Sequence, residues 1–131
     1  MYPCAVNDTA TFVRQLAVSY VARGYWFYVT GTIPSHKDPQ KTDEKIIRQY
    51  GIDISKWTRC RRKKAGLANV QYLRHGHFFV LVATQGVHSF FQLERESVQD
   101  IRREPLSYAG YAVTCKRCGQ KWRVSLGIAR Y

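Results

Sequence analysis

The chain has few acidic residues and no long apolar run. It holds 9 Asp and Glu residues against 21 Lys and Arg residues, which gives a formal net charge of +12 at pH 7. No window approaches the roughly 20 consecutive apolar residues that a membrane-spanning helix needs, and the amino terminus lacks the basic and apolar regions of a secretory signal. No internal repeat is present. We therefore expect an intracellular, cytoplasmic protein without a membrane partner.

Cysteine is also scarce, and this excludes a disulfide scaffold. A chain of 131 residues with 45% hydrophobic residues is long enough to bury one ordinary core without covalent crosslinks. We therefore predict a single domain, 1–131. Its expected parts are an N-terminal helix (1–23), a core (24–105) and a C-terminal hairpin that contains a CxxC sequence (106–131).

The positive charge favours a polyanionic partner. Each phosphate contact releases condensed counterions and so lowers the free energy of binding. We expect the partner to be nucleic acid, DNA or RNA, either alone or as part of a larger nucleoprotein complex. The alternatives are a basic protein kept in solution by self-repulsion, and a scaffold or inhibitor of another nucleic-acid-handling protein. The sequence has no serine triad, phosphate loop or paired-carboxylate hydrolase pattern.

Apolar periodicity predicts the element order α, β, α, α, β, β, α, β, β. The first helix spans Thr9 to Arg23, and a later helix starts at Ser89, includes Ile101 and ends before Pro105. The run LSYAGYAVTCKR is expected to be one strand that pairs with KWRVSLGIA. The resulting fold class is α+β: a single-domain, antiparallel ferredoxin-like (split βαββαβ) sheet with helices on one face and an extra N-terminal helix. The other sheet face is expected to be open and functional.

A basic helix is predicted in the segment ISKWTRCRRKK. Its cations cannot all share one face, so they surround the carboxyl end of the helix, where they complement the helix dipole. We interpret them as phosphate contacts, and a solvated helix end is the alternative. The predicted contacts are Lys56, Arg59, Arg61, Arg62, Lys63 and Lys64, with Arg74 as a further one.

The stretch YLRHGHFFVLVA carries His75, Gly76 and His77 before an apolar run. This triplet resembles the motif of HUH endonucleases, in which two histidines hold a divalent metal while a tyrosine attacks a DNA phosphate. The resemblance implies Mg²⁺ or Mn²⁺ at the two histidines, with Tyr111 or Tyr108 as nucleophile. Gly76 stands where that motif carries a bulky apolar residue, and we expect the two tyrosines on opposite sheet faces.

A second interpretation of the same stretch is a base-stacking surface. The segment HGHFFV is similar to the third-strand motif of RNA-recognition-motif domains, and Phe27-Tyr28-Val29 resembles their first-strand motif. The resemblance implies that Tyr28, His77 and Phe79 stack on unpaired bases across the open sheet face. The third interpretation is a hairpin turn, in which Gly76 supplies a positive φ and the aromatic residues are core.

The sequence TCKRCGQKWR has the form of a zinc knuckle, with Cys115 and Cys118 as two thiolate ligands. Further ligands would come from elsewhere in the chain, and the alternative is a hairpin turn with free thiols. The candidate further ligands are Cys4, Cys60, His36 and His88. Apart from this zinc and the nuclease metals, no cofactor is expected, and we favour a nucleic-acid-binding protein over an enzyme.

Overall fold

The computed structural model describes residues 2–128 and shows a small single domain of mixed helices and antiparallel sheets. None of its helices has the length and apolarity to cross a bilayer. The helices are α1 (Thr9–Gln15), α2 (Pro39–Tyr50), α3 (Lys56–Lys64) and α4 (Ser89–Leu93). The strands are β1 (Phe27–Thr32), β2 (Val70–His75), β3 (Phe78–Ala83), β4 (Gln99–Asp100), β5 (Leu106–Tyr108), β6 (Tyr111–Cys118) and β7 (Lys121–Ile128).

The strands form two antiparallel sheets. The larger has the order β2-β3-β1-β4, and the smaller has the order β5-β6-β7. Strand β3 is central in the larger sheet, since it pairs along its whole length with both β1 and β2. Its six residues read FFVLVA, without the polar alternation of a strand that has one wet face.

The predicted hairpin turn is confirmed, shifted by one residue. His75 pairs with Phe78, so the turn consists of Gly76 and His77. Gly76 has a φ of 62° and His77 does not have a positive φ, an arrangement typical of a type II′ hairpin. Four of the apolar residues after the turn, Val80 to Ala83, belong to the core, as the third interpretation proposes, whereas Phe78 and Phe79 are partly buried against it.

The prediction of an open sheet face is wrong, because both faces of the larger sheet are covered. Tyr28 and Val80 point to the side covered by α1 and the smaller sheet. Val29 and Leu81 point to the opposite side and pack with residues of α2 and α4. Strands that are apolar on both sides need a layer on each face.

Helix α1 continues as a π-helical turn (Leu16–Tyr20) and a 3₁₀ turn (Val21–Arg23) that ends at Gly24, so the predicted extent is confirmed. The predicted long helix from Ser89 is wrong. Phe90 packs on the α2 side of the sheet, whereas Ile101 packs on the α1 side. The chain must therefore pass around the sheet edge, and it does so through β4.

The predicted single strand LSYAGYAVTCKR is also wrong, because it contains a second hairpin turn. Ala109 and Gly110 have φ values of 50° and 85° and separate β5 from β6. Two positive φ values match a type I′ turn. Tyr108 and Tyr111 flank this turn as a directly opposed pair, so they lie on the same sheet face and not on opposite faces.

An ion pair between buried Asp43 and largely buried Arg74 joins α2 to β2. The Arg74 guanidinium donates to both carboxylate oxygens of Asp43, with Nε–Oδ1 and Nη2–Oδ2 distances of 2.8 and 2.9 Å. The hydroxyl of buried Tyr72 donates to the same carboxylate. Removing one partner of a buried pair leaves an uncompensated charge away from water, which is costly.

We expect Asp43→Ala to lower the free energy of unfolding by about 3–5 kcal/mol, because it leaves Arg74 and Tyr72 without their shared acceptor. Urea denaturation measures this change. The matched control is Glu44→Ala, which removes an exposed carboxylate from the same helix and should change stability by less than about 0.5 kcal/mol. Equal losses in the two variants would contradict the structural role of Asp43.

Candidate nucleic-acid interface

Helix α3 is attached to the domain by polar contacts. Its N-cap is Ser55, whose hydroxyl accepts the N–H of Thr58, and none of its residues is buried. Arg62 donates from Nε to Oδ1 of Asn69 at 3.2 Å and from Nη2 to the carbonyl of Ala68 at 2.9 Å. Asn69 in turn donates to the carbonyl of Arg59. These bonds fix α3 beside the start of β2.

Two of the predicted phosphate contacts, Arg59 and Arg62, face the domain and make structural hydrogen bonds. Arg59 donates to the carbonyl of Ile52, and its buried Nε has no hydrogen-bond partner within residues 2–128. Arg62 is held by the two bonds to the start of β2. The remaining predicted cations of this helix are exposed: Lys56, Arg61, Lys63 and Lys64.

Trp57 is the residue of this surface that the sequence analysis missed. Its side chain is 79% exposed. Arg61 and Lys64 follow it at spacings of four and seven residues, which places all three on one side of the helix. Leaving a large apolar side chain in water forgoes about 2–3 kcal/mol of burial energy. The available signal was a tryptophan in a segment that is otherwise mostly polar and basic, SKWTRCRRKK, with no apolar residue four positions away on either side.

The charge of α3 is not neutralised by the domain. No Asp or Glu occurs from residue 54 to residue 93. Across residues 2–128 the ion pairs are Arg74–Asp43 and Arg102–Asp100, and neither involves α3. Helix α3 therefore presents four cations and one indole ring to solvent, with Arg61 and Lys64 on the side of Trp57 and with Lys56 and Lys63 on the adjacent side.

The predicted stacking surface of Tyr28, His77 and Phe79 does not form. Tyr28 is 3% exposed on the α1 side, and its hydroxyl donates to the carbonyl of Glu104 at 2.8 Å. Burial raises the pKa of Tyr28 to about 12. Phe79 lies on the opposite side, where it pairs with Gly31. The two rings are on opposite faces because Tyr28 and Gly31 are an odd number of residues apart in β1.

The two histidines of the hairpin make separate contacts. Nδ1 of His75 lies 2.8 Å from the hydroxyl of Tyr108, and its ring packs 5.8 Å from that of Phe12. Nδ1 of His77 lies 3.0 Å from the carbonyl oxygen of Ile33, beyond the end of β1. Tyr108 stacks on Phe78 with ring centroids 4.0 Å apart, and burial raises its pKa. The tyrosine and the first histidine therefore belong to an aromatic cluster beside α1.

Arg74 is not available for the phosphate contact predicted from the sequence. Besides its bonds to Asp43, its Nη1 donates to the carbonyl of Gly76 at 2.7 Å. The ion pair with Asp43 raises the pKa of Arg74. Its guanidinium holds the hairpin turn and α2 in place, and it adds no free charge to the surface.

The zinc-knuckle interpretation is wrong for Cys115 and Cys118. Both lie on the regular strand β6, where three residues span about 10 Å and successive side chains alternate. Cys115 is 1% exposed in the core, and Cys118 is exposed near the hairpin tip. Two thiolates placed in this way cannot share one metal ion. Within residues 2–128, no three His, Cys, Asp or Glu side chains form a cluster that could hold a metal.

The other residues considered for zinc have separate places. Cys4 is buried, and burial raises its pKa to about 11. His88 caps α4 by accepting the N–H of Phe90, and its Nε2 lies 3.1 Å from the carbonyl oxygen of Tyr50. Burial lowers the pKa of His88. Cys60 and His36 are exposed.

Comparisons with protein-family models, with curated proteins and with solved structures found no significant match to this chain.

We expect two of the four thiols to react rapidly with a disulfide reagent at pH 8. Cys60 and Cys118 are exposed, whereas Cys4 and Cys115 are buried and have raised pKa values, so little reactive thiolate is present at either. Absorbance of the released thiolate counts the fast and slow groups, and Cys60→Ser and Cys118→Ser assign them. Slow reaction of Cys118 in wild type that becomes fast after chelator treatment would contradict the free-thiol assignment.

Proposed function

We propose that this protein binds single-stranded nucleic acid through the outer side of α3. The observation that carries the proposal is the exposed Trp57 ring among cations that have no acidic partner within residues 2–128. Lysine and arginine side chains bind the phosphate backbone, and an aromatic side chain stacks on a base. The proposed contacts are Lys56, Trp57, Arg61, Lys63 and Lys64.

The indole favours a single strand over a duplex. In a duplex each base is already stacked between its neighbours, so inserting a side chain costs the free energy of unstacking two base pairs. An unpaired base has a free face, and stacking on it contributes about 1–3 kcal/mol. Trp57 and the cations of α3 therefore suit an accessible single strand of DNA or RNA.

The anchoring of α3 supports this assignment. The hydrogen bonds of Arg59 and Arg62 hold the inner side of the helix, so the outer side can meet a ligand without rearrangement. A surface fixed before binding loses less conformational entropy on association.

We further infer that the larger sheet has the ferredoxin-like split βαββαβ arrangement. Its strand order of β2-β3-β1-β4 and its antiparallel pairing support this inference. Helices α2 and α3 connect β1 to β2, and α4 lies between β3 and β4. In this arrangement the binding surface is a helix at the sheet margin and not the sheet face.

We expect Trp57→Ala to weaken binding of a fluorescent single-stranded oligonucleotide by roughly 5- to 150-fold, because one stacking contact of about 1–3 kcal/mol is lost. Fluorescence anisotropy at low salt measures the affinity, and a duplex of the same sequence should bind more weakly than the single strand. Leu93→Ala, which removes another exposed apolar side chain, is the control. Tight binding by Trp57→Ala, or no oligonucleotide binding by wild type at low salt, would refute the proposal.

The salt dependence of binding should report the phosphate contacts of α3. For single strands the slope of log K against log salt is about −0.7 per neutralised phosphate. We expect Lys63→Gln/Lys64→Gln to reduce the slope by about 1.4. The control is Arg95→Gln/Arg103→Gln, which removes two exposed cations outside α3. An equal slope change in both variants would indicate an effect of net charge alone.

A further inference from the structure

A groove of about 560 Å³ lies between the first half of α2 and the end of β1. One wall comes from α2 and the loop before it, and this wall carries three lysines. The other wall includes Phe79 of β3, one of the residues first singled out by the hairpin motif. The side chains that matter for its chemistry are Lys37, Lys41, Lys45, His36 and Phe79.

The position of the Phe79 ring depends on Gly31. The two residues face each other across the β1–β3 pair, and the ring lies directly over the glycine. A Cβ atom at position 31 would lie 2.4 Å from Cζ of Phe79, which is closer than real side-chain contacts allow. Glycine therefore lets the ring lie across the neighbouring strand, where it lines the groove as an apolar surface.

The groove carries net positive charge. Lys37, Lys41 and Lys45 are exposed, and within residues 2–128 none of them forms an ion pair. The acidic residue of the lining is Asp38, and its carboxylate accepts the N–H of Gln40 as the N-cap of α2. An aromatic ring beside uncompensated ammonium groups matches a ligand that joins a flat base to a phosphate.

We propose that this groove binds a nucleotide, with its phosphate at Lys41 and Lys45 and its base against Phe79. The site goes beyond the proposed function, because the groove and α3 lie at opposite ends of α2. This helix has 12 residues and so a length of about 18 Å. Phe78 and Thr32 pair at the groove end of the sheet, whereas α3 is bonded to the other end, where β2 begins.

The test is a titration of the full chain with adenosine monophosphate, ribose 5-phosphate and adenosine, followed by ¹H–¹⁵N spectra. We expect the nucleotide to bind roughly tenfold tighter than either fragment and to shift the amide signals of Lys41, Thr42 and Phe79. Phe79→Leu and Lys41→Gln/Lys45→Gln should each weaken nucleotide binding roughly tenfold. Arg95→Gln/Arg103→Gln, with the same change in charge, should leave it unchanged.

Three results would overturn the proposal: no nucleotide binding, equal binding of ribose 5-phosphate and the nucleotide, or equal weakening by the control variant. A 5′-phosphorylated oligonucleotide that competes with the free nucleotide for the groove would identify a strand end as the source of the ligand. An oligonucleotide that does not compete would identify a free nucleotide. Trp57→Ala should retain nucleotide affinity. The experiment can therefore refute nucleotide binding in the groove without refuting oligonucleotide binding at α3, and the reverse.

Discussion

The central strand β3 is apolar on both sides, and the arrangement of the other elements depends on this constraint. Val80 and Val82 point to one side of the sheet, and Leu81 and Ala83 point to the other. Each set must be removed from water, so the domain places α1 with the smaller sheet on one side and α2 with α4 on the other. A sheet covered in this way has no face left for a ligand. The surface that we propose for nucleic-acid binding lies at the margin of this sheet.

Helix α3 shows how such a marginal surface is built. It buries no side chain, and its stability in the domain depends on capping by Ser55 and on the hydrogen bonds of Arg59 and Arg62. In this polar attachment, Arg59 and Arg62 make structural hydrogen bonds to the rest of the domain. The solvent-exposed surface of the helix then carries four cations and Trp57, a large apolar side chain that is 79% exposed.

The hairpin histidines show that the structural role of a short motif depends on whether its residues lie on one strand or across a turn. Two histidines separated by one residue would share a side if they lay on one strand. The chain instead turns at Gly76 and His77, so His75 contacts Tyr108 while His77 contacts the end of β1. Glycine with a positive φ explains the local conformation more directly than metal binding does.

Local signals in the sequence were sufficient for α1, α2, α3 and the Gly76 turn, because capping residues, helical periodicity and glycine act over a few neighbours. The second turn at Ala109 and Gly110 was missed although Gly110 carries such a signal, because a single glycine inside an apolar and aromatic run also fits a continuous strand with a bulge. The end of α4 was missed because Phe90 and Ile101 fit one helical pattern yet pack on opposite sheet faces.

The sequence by itself therefore determined helices α1, α2 and α3, the turn at Gly76, the strong positive charge and the position of the basic helix. Only the tertiary structure decided which cations remain free, that Tyr28 is core while Phe79 lines a groove, and that Cys115 and Cys118 point apart. The physical reason is that these properties depend on strand register and on the layer packed against each face, which pair residues far apart in the chain.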